Sequence, residues 1–278
     1  MVSNFHLPPT GYGPGSQQDD SGEELQYMPM PQDMRTYHTH FPEMEIDESL
    51  RPAMELMAAV AQAAKVSGEG GMNSTFDLSG LDKANRRLVA ETMGEGEVAM
   101  KMHGIPAVAA QESVFAGIWV LKAANLDMIE VGPSPQIARD RAFAPRRAAL
   151  GTNAPKAAGV LNAPPLLVEL QDKSASYQAG DEVHVINLTL LPHTEQDLEW
   201  LDKALGQGST DILSRGYGNC RVTATALQNV WRVQFFNSMD VLILDTFEVT
   251  AIPEVTVAAP EDLTDSGERL FEVLEAIR

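Results

Sequence analysis

Apolar residues recur at helical spacing from Pro52 to Lys65, and proline is well placed in the first turn of the helix this predicts. The same pattern returns from Pro164 to Tyr177. A strand follows each helix, at Thr75–Leu78 and at Val183–Leu190. A short amphipathic helix comes next. In the later stretch, Thr194-Glu-Gln-Asp197 supplies a cap and first-turn acids, Leu198, Leu201 and Leu205 share one face, and Gly206 ends it. In the earlier stretch Asp82 caps, Leu88, Val89 and Met93 form the face, and Gly94 stops the helix. Strand-like runs finish each series. They are Glu97–Met102, Val108–Lys122 and Asp127–Val131, then Thr210–Ser214, Arg221–Phe236 and Val241–Val249, with Asn237-Ser-Met-Asp240 as a turn. A last helix has Glu261 and Asp262 in its first turn, and Leu263, Leu270, Val273, Leu274 and Ile277 on its apolar face.

These two series superimpose on a shift of 112 positions. Pro52 falls on Pro164, Leu78 on Leu190, Gly94 and Gly96 on Gly206 and Gly208, Gly104 on Gly216, and Trp119 on Trp231. Phe76 with Leu188, Met93 with Leu205 and Phe115 with Leu227 extend the match without a gap to the tryptophans. A longer hairpin then intervenes in the second series, and the register resumes at Glu130-Val131 against Glu248-Val249. Trp119 and Trp231 read as structural anchors, one for each core. Consecutive hairpin strands make an antiparallel sheet whose apolar face the helices must cover. The expected fold is therefore α+β, with two similar duplicated domains, each an antiparallel sheet with helices on one face. The expected boundaries are 49–135 and 162–278, the second domain including the C-terminal helix.

Charge adds an organisation that periodicity does not. Residues 1–48 hold nine acids and one base, Arg35, among scattered Pro and Gly, and read as a flexible acidic tail. Residues 136–161 form a basic Pro/Ala-rich linker, with Arg139, Arg141, Arg146, Arg147 and Lys156 against Asp140. Such a strip either balances neighbouring acids or docks an acidic partner. The whole chain carries −19 at pH 7, a field that repels phosphate backbones and anionic membrane surfaces, so no nucleic acid is expected as partner. No apolar run approaches the roughly 18 residues of a membrane span, and the N-terminus lacks the basic and apolar regions of a signal peptide. A cytoplasmic protein without membrane insertion is expected.

Candidate chemistry is sparse. The sequence has no Gly-rich phosphate loop, nucleophile elbow or metalloprotease helix, and neither a cofactor nor a catalytic residue is expected. Cys220, the single cysteine, cannot form an intrachain disulfide. It follows a glycine turn and sits beside Arg221 with Arg215 nearby, and positive neighbours lower a thiol pKa. A buried structural role, part of a binding surface, and a nucleophile paired with His184 stay open. His38 and His40 with Glu43 offer a weak divalent-metal pair, though no metal site is expected. In the tail, Tyr27, Met28, Pro29, Met30 and Pro31 look like a peptide that folds onto a partner or onto the domains, since methionine suits adaptable surfaces.

Three motifs carry a resemblance. Ser214-Arg-Gly-Tyr-Gly-Asn-Cys-Arg221, Asn229-Val-Trp-Arg-Val-Gln-Phe-Phe-Asn237 and Glu248-Val-Thr-Ala-Ile-Pro-Glu254 resemble the C-terminal domain of the HupH/HyaF family of nickel–iron hydrogenase accessory proteins. The segment Tyr27–Tyr37 resembles the stretch before the domains in that family. In the first series Ile105-Pro-Ala-Val108 replaces Tyr-Gly-Asn-Cys after Gly104, so the turn is special to the second. The resemblance implies an accessory or chaperone protein, not an enzyme. It would bind the iron–sulfur small-subunit precursor before export and act with a thioredoxin-like accessory protein. Arg215, Gly216, Tyr217, Gly218, Asn219, Cys220 and Arg221 are then candidate partner-binding residues, together with Tyr27–Pro31. The alternatives are a metal or cofactor carrier using the tail His and Met residues, and a Cys220-dependent enzyme.

Overall fold

The computed structural model describes residues 47–216 and 218–277. Six α-helices appear among them: α1 (Arg51–Gly68), α2 (Lys83–Met93), α3 (Gln136–Asp140), α4 (Ala163–Ser176), α5 (Glu195–Leu205) and α6 (Pro260–Ala276). Ten strands accompany them: β1 (Ser74–Asp77), β2 (Val98–Met102), β3 (Val108–Glu112), β4 (Ile118–Ala123), β5 (Leu126–Val131), β6 (His184–Asn187), β7 (Thr210–Ser214), β8 (Asn219–Ala224), β9 (Val230–Phe236) and β10 (Leu242–Val249). Helix starts and stops follow local chemistry. Thr194 and Asp197 form a capping box on α5, and Gly94 and Gly206 end α2 and α5 at φ 56° and 67°.

The mixed helical and antiparallel class holds, and the structure corrects the expected organisation in four respects. First, Val108–Lys122 and Arg221–Phe236 are not single strands. Each is a hairpin, split by a turn in which Gly117 and Asn229 take φ 76° and 60°. Ser113 and Thr225 hold these turns with hydroxyls that accept from the Phe115 and Leu227 N–H groups. Left-handed backbone forces the chain to reverse where hydropathy reads straight through.

Second, the strands join into one sheet in the order β1-β5-β4-β3-β2-β7-β8-β9-β10-β6. The order is the same from either edge. At the centre Met100 faces Ile212, Val98 faces Ser214 and Met102 faces Thr210. Positions 112 apart therefore exchange places about the Met100–Ile212 pair. The bonds flanking this seam exchange likewise: His103 N–H donates to the Ser209 carbonyl, and Arg215 N–H to the Glu97 carbonyl.

Third, the sheet edges break the 112 spacing. Phe76 lies opposite Ile129, whereas Ile186 lies opposite Phe247, so Phe76 corresponds in place to Ile186 rather than Leu188. The strand expected at Val183–Leu190 gives way to a 3-10 turn at Leu188–Leu190.

Fourth, α6 does not stay with the second half. It packs along α1, and Leu263, Leu270, Val273 and Leu274 share a core with Met57, Val60, Leu88 and Ile129. Small residues allow this approach, because a Cβ on Gly267 would stand 2.7 Å from the Ala61 carbonyl oxygen.

Alternation along the strands sorts the core into layers. Ile118 and Ile129 face α1, α2 and α6, while Val230 and Phe247 face α4 and α5. Trp119 and Trp231 point to the opposite sheet face, where Ala138, Ala142, Phe143 and Val255 cover them. Both indoles are fully buried and donate to carbonyls, Trp119 to Gly132 at 2.9 Å and Trp231 to Thr250 at 3.2 Å. The 136–161 segment thus lies against the sheet. Arg146 and Arg147 donate backbone N–H groups to Gln207, and their guanidinium groups reach Asp211 and Asp202 at 3.4 and 2.8 Å.

Asp197 ties this segment to α5. Its carboxylate accepts from the backbone N–H groups of Leu161, Asn162, Ala163 and Thr194 at 2.8–3.0 Å. Burial alone would raise its pKa, but these four donors outweigh burial and hold it at about 2. Asn85 does the same for α1, accepting from Ala53 N–H and donating to the Ser49 carbonyl. Asp197→Ala is expected to cost about 3 kcal/mol in chemical denaturation, because buried N–H groups lose their acceptor. The depressed pKa stabilises the native state above pH 3.8 and is lost as pH falls toward 2. Asp197→Asn should abolish that part of the acid dependence.

Candidate partner-binding surface

One end of the sheet brings together the β7–β8 turn and the tip of the β9–β10 hairpin. Ladder register sets the neighbours: Asn219 opposes Phe236 on β9, and Phe236 opposes Leu242 on β10. The Arg221 guanidinium lies 4.5 Å from the Phe236 ring centroid. Asn219 donates to Asp240 at 3.2 Å, linking turn to hairpin. Asn237 folds the tip, its side-chain oxygen accepting from Met239 and Val241 N–H at 2.9 and 3.0 Å. Beyond that tip Met239, Val241, Leu242 and Ile243 are 77, 52, 43 and 56% exposed. An arginine stacked on an aromatic beside exposed aliphatic side chains is the composition of an interface anchor.

Gly218 shapes the turn with φ 98°, which other residues rarely adopt. A Cβ on Gly216 would meet the far end of the exposed Glu97 side chain, which can swing aside. Arg215 N–H donates to the Glu97 carbonyl and seats the turn of the second half against the first. Arg215 and Gly216 are exposed beside it. Tyr217 and Tyr27–Pro31 lie outside the described residues, as do His38, His40 and Glu43.

Cys220 is the residue for which local sequence misleads. Arg221 alternates to the other sheet face, while the thiol is buried with Val222, Trp231 and Phe235. Burial, and secondarily the Glu248 carboxylate, push its pKa up to about 12. His184 stands on edge strand β6, beyond β9 and β10, with Nε2 2.8 Å from Glu169. The pair that a cysteine nucleophile requires is not assembled. Among the described residues no group of three His, Cys, Asp or Glu side chains could hold a metal ion, and no helix is long and apolar enough to cross a membrane.

The described residues have one other strongly shifted carboxyl. Glu112 is buried at the end of β3, which raises its pKa to about 7 against the opposing pull of the Gly117 and Val98 backbone donors; Glu97 and Asp262 raise it further. It accepts from Gly117 N–H at 3.1 Å and so holds the turn that splits β3 from β4.

Residues 160–277, which hold the turn, the hairpin and α4 to α6, match the C-terminal conserved region of the HupH hydrogenase expression protein. Over all 278 residues the chain is 59% identical to the hydrogenase expression/formation protein HupH of Rhodobacter capsulatus, covering the full length of both. The chain belongs to the HupH/HyaF family of hydrogenase expression/formation proteins. Another member, HoxQ of Cupriavidus necator, is 43% identical over 99% of this chain and 98% of its own. HyaF, the hydrogenase-1 operon protein of Escherichia coli, is 29% identical over 98% of this chain and 95% of its own. The solved structure of a HupH hydrogenase expression protein from Thiobacillus denitrificans is 30% identical, covers 41% of this chain and 94% of its own, and has a TM-score of 0.37.

The hairpin residues Phe236, Met239 and Val241–Ile243 lie outside the candidate partner-binding set that the sequence suggests, although Phe236 and Met239 fall within its quoted motif and turn. Their signal is Val241-Leu-Ile-Leu244, an apolar run without alternation straight after a turn. Two outcomes follow from the geometry. Cys220 should resist a thiol reagent at pH 8 in the native protein and react fully in denaturant. The native state should lose about 3 kcal/mol as pH rises from 4.5 through 7, because Glu112 is forced to ionise while buried, and Glu112→Gln should flatten that loss in denaturation midpoints.

Proposed function

We propose that this chain assists maturation of nickel–iron hydrogenase without catalysis, by binding the precursor of the iron–sulfur small subunit before export. A thioredoxin-like accessory protein is its expected co-worker, and the cytoplasm its place of action. The observation that carries the reading is the 59% identity, over the full length of both chains, to a hydrogenase expression/formation protein. The surface at the β7–β8 turn and the β9–β10 hairpin supports a binding role, with Arg221 and Phe236 as a rigid base and Met239, Val241, Leu242 and Ile243 as apolar contacts. The buried thiol of Cys220, with its pKa pushed up to about 12, disfavours a cysteine-dependent enzyme. Metal or cofactor carriage by the tail residues is a separate reading, checked by metal analysis of the protein with and without residues 1–48.

The repeated order of the sheet supports descent from one unit that was duplicated and joined edge to edge. In this reading the second copy gained the longer hairpin and the glycine turn before Cys220.

A tagged full-length chain should capture the small-subunit precursor from hydrogenase-expressing cells, and the −19 charge should make capture weaken between low and moderate salt. The double substitution Met239→Asp and Leu242→Asp should reduce capture at least tenfold with an unchanged unfolding midpoint. Recovery of no hydrogenase component under either salt condition would overturn the reading.

A further inference from the structure

A second surface lies far along the sheet from the hairpin, on the helical layer of the first half. α1 and α6 run antiparallel, and their separation changes along their length. Near the end of α1 they touch closely. A Cβ on Gly68 would stand 2.7 Å from the Pro260 carbonyl oxygen and would collide with the Thr264 side chain. Toward the start of α1 the contact opens into a groove of about 690 Å³. That volume falls in the ~300–1,000 Å³ range of binding clefts. Met54, Ala58, Phe271 and Leu274 supply its apolar surface.

Acids surround this surface. Among the described residues, Asp47, Glu48, Glu55 and Glu275 line the groove with one base, Arg51. Arg51 is already engaged, at 3.2 Å from Glu48 and 2.8 Å from Glu55. The hydroxyl and backbone N–H of Ser49 hold the Asp47 carboxyl below its ordinary range, so it is ionised at neutral pH. An apolar floor inside an acidic rim repels an acidic occupant and attracts a cationic one.

Residues 1–46, outside the described residues, hold seven acids and one base, so like charge disfavours them as the occupant. A second copy of a chain carrying −19 is opposed for the same reason. We infer that the α1–α6 groove binds a cationic amphipathic peptide segment of a partner protein, its apolar side chains on Met54, Ala58, Phe271 and Leu274 and its Lys or Arg side chains on the acidic rim. The inference rests on the binding role proposed above and adds a second site of different chemistry to the hairpin surface.

The probe is a dye-labelled helix-forming peptide with Leu at i, i+3, i+4 and i+7 and Lys elsewhere. It is titrated by fluorescence anisotropy against the full-length protein. The control is a peptide of the same composition with its Leu residues scattered off one face. The patterned peptide should bind at least tenfold more tightly than the control, and its affinity should fall as salt rises. The double substitution Glu55→Lys and Glu275→Lys should weaken binding at least tenfold, and so should Ala58→Arg, each with an unchanged circular dichroism spectrum. Equal binding of the two peptides, or wild-type affinity in the double variant, overturns the inference. Hydrogenase capture separates this from the broader reading. If the wild-type chain captures the precursor while the patterned and scattered peptides bind equally, the groove inference fails and the proposed function stands. If the wild-type chain captures no hydrogenase component while the patterned peptide still binds in the groove, the function fails and the groove stands.

Discussion

The antiparallel pairing of β2 with β7 is the contact on which the rest of this molecule depends. Without it each half would be a five-stranded sheet with a central strand exposed as an edge, its N–H and C=O groups unpaired. Such an edge is a template for aggregation, and natural sheets pair or cover it. Here the two edges satisfy one another through five residue pairs centred on Met100 and Ile212. The apolar residues of that seam, Val98, Met100, Met102 and Ile212, then merge with those of β3 and β8 into one core beneath Trp119 and Trp231. The two strand sets that remain at the outer edges, β1 and β6, have four residues each. Short edges limit unwanted pairing.

Joining the halves this way explains the path of the connecting chain and of the C-terminal helix. Residues 136–161 travel from the end of β5 to α4, with Ala138 and Ala142 in the tryptophan-side core and Ala154 and Val160 in the core under α4 and α5. Between these two parts Arg146 and Arg147 meet Asp211 and Asp202. These pairs are partly exposed, each worth about 0–1 kcal/mol, so the buried Asp197 with its four backbone donors is the firmer fastening. α6 closes the first half instead of the second, which makes the two halves dependent on each other. It also leaves the hairpin side and the α1–α6 side with different chemistry, aliphatic on one and acidic on the other.

The sequence by itself determined a good deal. Capping residues, first-turn prolines and glycine stops located the main helices, because these signals act within four residues of backbone. The spacing of 112 predicted the equivalence of Trp119 with Trp231 and of Gly94 with Gly206, and both pairs occupy matching places. The glycine turn before Cys220 was legible as a turn, since Gly218 takes left-handed backbone there.

Only the tertiary structure decided the remainder. The hairpin turns at Gly117 and Asn229 depend on left-handed backbone inside apolar runs, which hydropathy reads as continuous strands. The side to which α6 docks depends on whether Gly267 and Ala61 can approach, a property of two segments some 200 residues apart. Cys220 sits beside Arg221 in the chain, but alternation along β8 sends them to opposite faces, one into a dry core and the other onto Phe236. Local pattern sets elements and their ends; which face is buried, and which edge meets which, is settled by contacts between residues far apart in sequence.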